Sequence, residues 1–462
     1  MTNAQIEQLA TLLGNDRVSR DPDALAAHSY DAWPVAAKWR RQNKAPLQPE
    51  AIVTPTSVDD VSRLLAWASA HNVPVTPWGA GSAVTGAPLA AQGGVSLDLG
   101  GMDKTIALNK INHTVRVEAG KMGHHLEAEL YAAGLTLNHS PQSLDRSTVG
   151  GWLATRASGQ FSSRWGSIEN LCVSFTVVLS DGRIIEMPDT PRSATGPDLR
   201  HLFIGSEGTM GVIVDVTMRV FELTEQRLYE TVVFDRLTDG IDAIRRIMQH
   251  GLRPFVLRLY DEDEAPHAMK DASSRQPVLF LGCEGTSAMA TAEMNACVEV
   301  CSAANGTPTG GAAVEAWMER RFDFSAVENV LDRPGGFAET IETASGWDQI
   351  GELYQDMKAA LAPLADEVLG HFSHAYTHGT SLYLILIGAC EDDEAAERRL
   401  LEIWDVAMER CLAGGGAISH HHGIGYVRRQ YLKPYLGEVH DLLCNVRSVV
   451  DSAGIMNPGK FV

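Results

Sequence analysis

The sequence predicts an α+β protein built in two sheet-bearing parts. Three observations carry this reading. Up to about residue 223, short runs that alternate like strands are separated by helical stretches, with glycines at the turns. From about 224, strand-like runs and long helical patterns follow in the order β-α-β-β-α-β, which makes an antiparallel sheet with helices on one face. A composition of 45% hydrophobic and 21% charged residues belongs to a folded chain.

Residues 1–45 read as a helix (NAQIEQLATLLG) followed by a polar connector containing KWRRQNK. QPEAIVTPTS is strand-like, and Ser57 then caps a helix with Asp60 at its third position. After VPVTPWGAGSAVTGA, where glycines interrupt a strand-to-loop passage, GVSLDL and TVRVEAG alternate like strands. HHLEAELYAAG is helical and stops at Gly134. LCVSFTVVLSDGRIIEM reads as a hairpin turning at Ser180-Asp181-Gly182. DLRHLFIGSEGTMGVIVDVTMRVF gives a short helix, a glycine turn and a buried strand. In the second part, LYETVVFD, FVLRLYD and PVLFLGCEG are strands, while GIDAIRRIMQHG and SAMATAEMNACVEVCSAAN are helices. A segment rich in Glu and Trp (313–361) precedes HAYTHGTSLYLILIGAC, read as one strand, and the helix EDDEAAERRLLEIWDVAMERCLAGG. These divisions place an N-terminal segment at 1–45, a first domain at 46–223, a second at 224–415, and a returning C-terminal segment at 416–462.

With 38 basic and 58 acidic residues the net charge is −20, a poor match for sequence-independent binding to nucleic acid or docking on anionic lipid. The start shows no charged n-region followed by an apolar run, and no stretch is long and apolar enough for a membrane helix, so a cytoplasmic protein is expected. The seven scattered cysteines read as reduced core thiols.

Four glycine-rich elements stand out. Pro77-Trp78-Gly79-Ala80-Gly81-Ser82-Ala83 follows a predicted strand, and its glycines free backbone N–H groups to converge on an anion. Gln142-Ser143 leads into Ser147-Thr148-Val149-Gly150-Gly151, where Ser147 or Thr148 caps a helix with a glycine-bare first turn. Thr155, Ala157 and Ser158 lie one turn on. Glu207-Gly208-Thr209-Met210-Gly211-Val212-Ile213 completes the set. In this order and at these distances the four elements resemble the FAD-binding flavoproteins of the vanillyl-alcohol oxidase type, along essentially the whole chain. The resemblance implies a two-part FAD-binding domain of the PCMH type plus a cap domain whose antiparallel sheet is covered by helices. It implies that 77–83 wraps the pyrophosphate, that Gln142, Ser143, Ser147, Thr148, Gly150, Gly151, Thr155, Ala157 and Ser158 contact pyrophosphate and flavin, and that Glu207, Gly208, Met210, Gly211 and Ile213 support the flavin and adenine side. No tethering residue is evident, so the FAD is expected to be noncovalent.

Two branches of that family compete. Thr155-Arg156-Ala157-Ser158-Gly159, Glu342-Thr343-Ala344 and Ser419-His420-His421-His422-Gly423 look like the alkyldihydroxyacetonephosphate synthases, which exchange an acyl for an alkyl chain through a flavin N5 adduct. The D-2-hydroxy-acid dehydrogenases usually carry Glu where His421 stands. Their metal-dependent members also use two histidines seven apart, a spacing that His371 and His378 share. With that Glu absent, no metal is expected.

Imidazoles titrate near neutrality and suit proton transfer. His420, His421 and His422 beside Gly423-Ile424-Gly425 are therefore catalytic candidates. Tyr376, which matches the synthases' proton-handling tyrosine, joins them, and on a strand His374, Tyr376 and His378 would share a face. Arg258, flanked by apolar residues in FVLRLYD, needs an anionic partner; Arg321 is a second anion-holding candidate, and His374 a further substrate contact. The expected activity is oxidation of a small anionic 2-hydroxy acid of the D-lactate or glycolate kind, by hydride transfer to flavin N5, with the alkyl exchange as alternative. The expected partners are that substrate and an electron acceptor the residues do not identify; a homodimer is compatible with the chain. A nonenzymatic flavin-binding subunit would lack the histidine cluster.

Overall fold

The computed structural model describes residues 1–461. The first strand comes from the N-terminal segment: β1 (Val18–Ser19) pairs antiparallel with β2 (Ala51–Val53). With β3 (Val75–Trp78) and β4 (Val95–Asp98) these form a four-stranded sheet of order β1-β2-β4-β3, in which β4 runs parallel to both β2 and β3. The helix Val58–His71 covers this sheet, capped by the Ser57 side chain as the sequence predicts. Its buried Val61, Leu64, Leu65 and Ala68 pack on Val53, Val75, Val95 and Leu97.

The second sheet holds β5 (Thr105–Asn109), β6 (Thr114–Glu118), β8 (Cys172–Val178), β9 (Ile184–Glu186) and β10 (Val212–Arg219), in the antiparallel order β5-β6-β10-β8-β9. A small ladder joins β7 (Leu135–Thr136) to β11 (Phe221–Glu222). The predicted hairpin at 180–182 is present, with Gly182 at φ +86°.

The second part is one seven-stranded antiparallel sheet. Its strands are β12 (Gln226–Val233), β13 (Val256–Tyr260), β14 (Val278–Gly285), β15 (Thr307–Gly310), β16 (Gly336–Gly346), β17 (Glu367–Ser373) and β18 (Gly379–Ala389). They run in the order β15-β12-β14-β13-β17-β18-β16. Alternation separates its faces: Leu257, Leu259, Leu279, Leu281, Phe372, Leu382 and Leu384 join the core that includes Ile244, Met357 and Trp404 from the covering helices. Arg258, His371 and Tyr383 point the other way, into a cavity against the first part.

Three elements differ from the sequence reading. KWRRQNK is not a connector: Pro34–Arg41 is a helix, its Lys38 fully buried against Asp393 and the Leu331 carbonyl. Those partners lie some 300 residues away in sequence, so local polarity misled. The 313–361 segment contains β16, the edge strand beside β18. HAYTHGTSLYLILIGAC is not one strand. β17 ends at Ser373, and His374, with φ +51°, opens a turn that closes at Gly379. His374, Tyr376 and His378 therefore do not share a strand face: His374 is buried, Tyr376 half-buried and His378 exposed.

The C-terminal segment returns to the first part, where Met456 bridges Val75 and the Asn457 amide donates to the Ala87 and Glu207 carbonyls. Among the described residues no helix is long and apolar enough to cross a membrane.

Candidate active site

A single cavity of about 800 Å³ runs from the Pro77–Ala83 loop to the face of the seven-stranded sheet. The glycine-loop residues named above line it, with the exceptions of Val149, Thr209 and Met210. Met210 is 1% exposed and sits in the core of the second sheet with Phe203 and Val216, so it supports the loop from behind. The backbone N–H groups of Ala80, Gly81, Ser82 and Ala83 have no hydrogen-bond partner among the described residues. A run of unpaired amides on an open cavity wall is a cradle for an anion, since consecutive N–H groups can converge on one negative group. Thr148 caps the helix Val149–Thr155, accepting from the Gly151 N–H at 3.3 Å. The cavity's volume and these amides fit FAD, whose negative pyrophosphate such a run of N–H groups would receive.

The histidine turn is held in place by two buried carboxylates. Glu207 accepts from the Ile424 and Gly425 N–H groups, the latter at 2.8 Å. Burial raises its pKa. Gly425 has φ +55°, and a Cβ there would lie 2.3 Å from the Thr85 carbonyl oxygen, so only glycine fits. Glu342, fully buried on β16, accepts from Ser419 Oγ (2.9 Å), from the His420 and His422 N–H groups, and from Arg428 Nη1 (2.7 Å). Burial pushes its carboxyl up, but Arg428, His422 and His420 outweigh that and hold it at about 2. Removing one partner of such a pair costs about 3–5 kcal/mol.

Three adjacent strands supply the opposite wall. On β17, His371 lies directly across from Tyr383 of β18, their rings stacked at 4.7 Å, and across from Tyr260 of β13, two residues from Arg258. Arg258 Nη2 donates to His371 Nε2 at 2.8 Å, and His371 Nδ1 donates to Glu264 at 2.7 Å. Burial, then Arg258, lowers the His371 pKa, so the ring is neutral and orients the guanidinium. Among the described residues Arg258 Nε has no hydrogen-bond partner. His374 faces the same cavity with Nδ1 2.6 Å from Ser162 Oγ.

His421 and His422 line the cavity; His420 and Tyr376 do not. Tyr383 Oη is 2.6 Å from His421 Nε2 and 3.4 Å from His422 Nε2. His421 Nδ1 meets His420 Nδ1 at 2.8 Å, and His420 Nε2 meets Tyr376 Oη at 2.7 Å. Burial lowers all four cluster histidines; His422 falls to about 4, and His374 and His421 fall well below the ordinary value.

Arg321 is not brought to Arg258. It faces a second cavity of about 70 Å³ with Arg227 and His139, and burial followed by Arg227 lowers its pKa. Nor are His371 and His378 brought together: one is buried against Glu264, the other exposed at the hairpin tip. Tyr383 escaped the sequence reading because SLYLILIG scans as a buried apolar strand; its position two residues from Ser381 and Ile385 on the cavity-facing register was the available signal.

The chain matches the family described as FAD binding domain over residues 49–188, and the family described as FAD linked oxidases, C-terminal domain, over residues 223–461. It belongs to the FAD-linked oxidases. This FAD-linked oxidase is 31% identical to the uncharacterized FAD-linked oxidoreductase YgcU of Escherichia coli O157:H7, over 99% of this chain and 98% of that one. It is 28% identical to the alkyldihydroxyacetonephosphate synthase of Trypanosoma brucei brucei (99% and 80%) and 28% identical to the mitochondrial D-lactate dehydrogenase [cytochrome] of Arabidopsis thaliana (99% and 80%). A solved alkyldihydroxyacetonephosphate synthase shares the fold at a TM-score of 0.82 and 24% identity, covering 99% of this chain and 85% of that one. p-Cresol methylhydroxylase does so at 0.82 and 17%, covering 99% and 96%. The protein is thus an FAD-dependent enzyme.

Proposed function

We propose that the enzyme oxidises a small anionic 2-hydroxy acid. The observation that carries this is the arrangement on β13, β17 and β18. A guanidinium with an unspent donor (Arg258) and a hydroxyl–imidazole pair (Tyr383–His421) flank the same neutral ring, His371. A 2-hydroxy acid carries its carboxylate and its hydroxyl on adjacent carbons, which matches one anion holder beside one proton acceptor.

The glycine loops would hold FAD noncovalently, and it would supply the hydride acceptor. Arg258 binds and orients the substrate carboxylate. Glu264 fixes His371, and His371 fixes Arg258, so the anion is received in one orientation. The Tyr383–His421 pair takes the proton of the substrate hydroxyl. His421 is neutral near pH 7, because burial, then His422 and His420, depress its pKa. Glu342 and Glu207 keep the turn in register from opposite sides.

Alkyl exchange on a phosphorylated ketone ester is the second reading. The apolar side chains of Phe324, Val327 and Leu331 at the cavity wall favour it, as they offer room for a hydrocarbon chain. Stopped-flow bleaching of the bound flavin with D- and L-lactate, glycolate and D-2-hydroxyglutarate tests the first reading, and reoxidation by an added acceptor should complete the cycle. No bleaching by any acid, with an ether formed from a long-chain alcohol and an acyl-dihydroxyacetone phosphate without acceptor consumption, would establish the second.

A further inference from the structure

Four side chains form an unbroken line of hydrogen bonds that leads away from the cavity. It starts at Tyr383 on the wall, passes to His421 Nε2 (2.6 Å), crosses from His421 Nδ1 to His420 Nδ1 (2.8 Å), and ends at Tyr376 Oη (2.7 Å from His420 Nε2). Tyr376 is half-buried, and the next two residues of the hairpin, Thr377 and His378, are exposed. The line therefore runs from the cavity wall to a partly covered residue at the base of an exposed hairpin tip.

An Nδ1–Nδ1 contact of 2.8 Å between neutral imidazoles has one donor and one acceptor, so the two rings hold opposite tautomers. Which ring donates fixes every other hydrogen on the line, so the line has two states, each the reverse of the other. We propose that Tyr383–His421–His420–Tyr376 is a proton relay that carries the substrate's hydroxyl proton to solvent; this rests on the hydroxy-acid reading above.

At the start the Tyr383 O–H donates to His421 Nε2, the His421 Nδ1–H to His420 Nδ1, and the His420 Nε2–H to Tyr376 Oη, which leaves the Tyr376 O–H as the last donor of the line. When the substrate C–H leaves as hydride to FAD, the carbinol C–O becomes C=O. The substrate's O–H proton goes to Tyr383 Oη as the Tyr383 proton passes to His421 Nε2. The His421 Nδ1 proton passes to His420 Nδ1, the His420 Nε2 proton to Tyr376 Oη, and the Tyr376 proton to water. One proton enters, one leaves, two electrons reside on FAD, and all four side chains end neutral. The relay explains how a cluster whose imidazoles resist protonation handles a proton at all: burial lowers the pKa of both His420 and His421, and neither ring has to hold a charge.

The nitrogens of His374, His420 and His421 also lie within 4.8 Å of one another, which invites a metal reading. Geometry favours the relay. Two tetrahedral zinc ligands at about 2.0–2.1 Å from the ion place their nitrogens about 3.3 Å apart, whereas His420 and His421 approach to 2.8 Å, an N–H···N distance. His374 stacks on His420 at 5.0 Å and 23° rather than pointing with it at a common centre.

The test uses the holoenzyme and D-lactate. In mixtures of H2O and D2O the rate of flavin bleaching should fall along a bowed curve, because several protons move together. Tyr376→Phe, which removes only the outermost hydroxyl, should slow bleaching at least tenfold and straighten the curve. A linear dependence in the wild type, or an unchanged shape in the variant, overturns the relay even if the variant is slower. Independently of turnover, 15N correlation spectra of histidine-labelled holoenzyme at pH 7 should show His420 and His421 as neutral rings of opposite tautomer. Two like tautomers, an imidazolium, or stoichiometric zinc or manganese by elemental analysis would overturn it. Should D-lactate and its homologues fail to bleach the flavin, the hydroxy-acid reading falls, and the spectra alone decide whether the line of hydrogen bonds exists.

Discussion

At one end of the cavity the wall is backbone: four consecutive amides at Ala80–Ala83, glycines that let chain segments touch, and one threonine cap. At the other end the wall is side chains from distant segments, with Arg258, His371, Tyr383 and His421 meeting across three strands and a turn. The first end is built from segments of the first part, which the C-terminal segment braces from behind through Asn457. The second exists only when the C-terminal segment docks, since Glu207 and Glu342 hold the histidine turn from the two parts of the molecule. A cofactor shared by a large family is served by backbone, whereas the reaction is set by side chains that change without disturbing the fold.

The comparison predicts that damage to the two ends will separate. The largest effect is all-or-none. Acid precipitation should release the yellow colour of FAD into the supernatant at one equivalent per chain, because the backbone end holds the cofactor without a covalent link. Colour that stays with the pellet would reveal a tether and end the backbone-only account.

Next in size, His421→Ala should slow substrate-driven flavin reduction by about 10²–10⁴ while FAD remains bound. A variant that loses FAD as well would show that the two ends are not separable. Arg258→Met should follow, costing about 2–5 kcal/mol in kcat/KM, again with FAD retained. His371 should then lose its hydrogen-bond donor but keep Glu264, so the fold should hold. Unchanged kinetics with the best substrate would take the anion away from Arg258.

The same contrast governs what was legible in the sequence. The glycine loops were readable because backbone that must approach a ligand or another strand excludes side chains: Gly208 at φ +74° would drive a Cβ to within 2.7 Å of Pro77. The three consecutive histidines were readable as a cluster, but their partners were not. Tyr383 is hidden in an apolar strand, and Glu342 sits in a segment whose strand was not recognised. Tyr376 was placed on a strand face, and only the turn begun by His374 at φ +51° shows how it comes to meet His420. Arg258 was found because a charge among apolar neighbours needs an explanation. Arg321 was found by the same rule and lies elsewhere, since the rule identifies a buried charge but not the cavity it faces. Arg428, the most deeply buried guanidinium, was missed because its partner Glu342 is 86 residues away.

The smallest predicted effect is on stability against pH, and it isolates the side-chain end. His422 is held at about 4, below the ordinary histidine value, so the folded ring stays neutral where the unfolded one takes up a proton. The stability this gives is present above about pH 6.5 and is lost as the pH falls toward 4. Glu342, at about 2, adds a loss only below the ordinary carboxylate range. Glu339, raised to about 8, and Asp31, raised to about 7, run the other way: burial keeps them protonated in the fold, and stability is lost as the pH rises from the carboxylate range toward those values. The wild-type profile is therefore a sum of opposed slopes, and its sign alone decides nothing. His422→Gln removes one of them and leaves the rest. Between pH 7 and 4.5 the melting temperature of the wild type should fall further than that of the variant, by a margin on the order of a few °C, with FAD saturating in both. Parallel curves would mean that His422 is not held neutral by the fold.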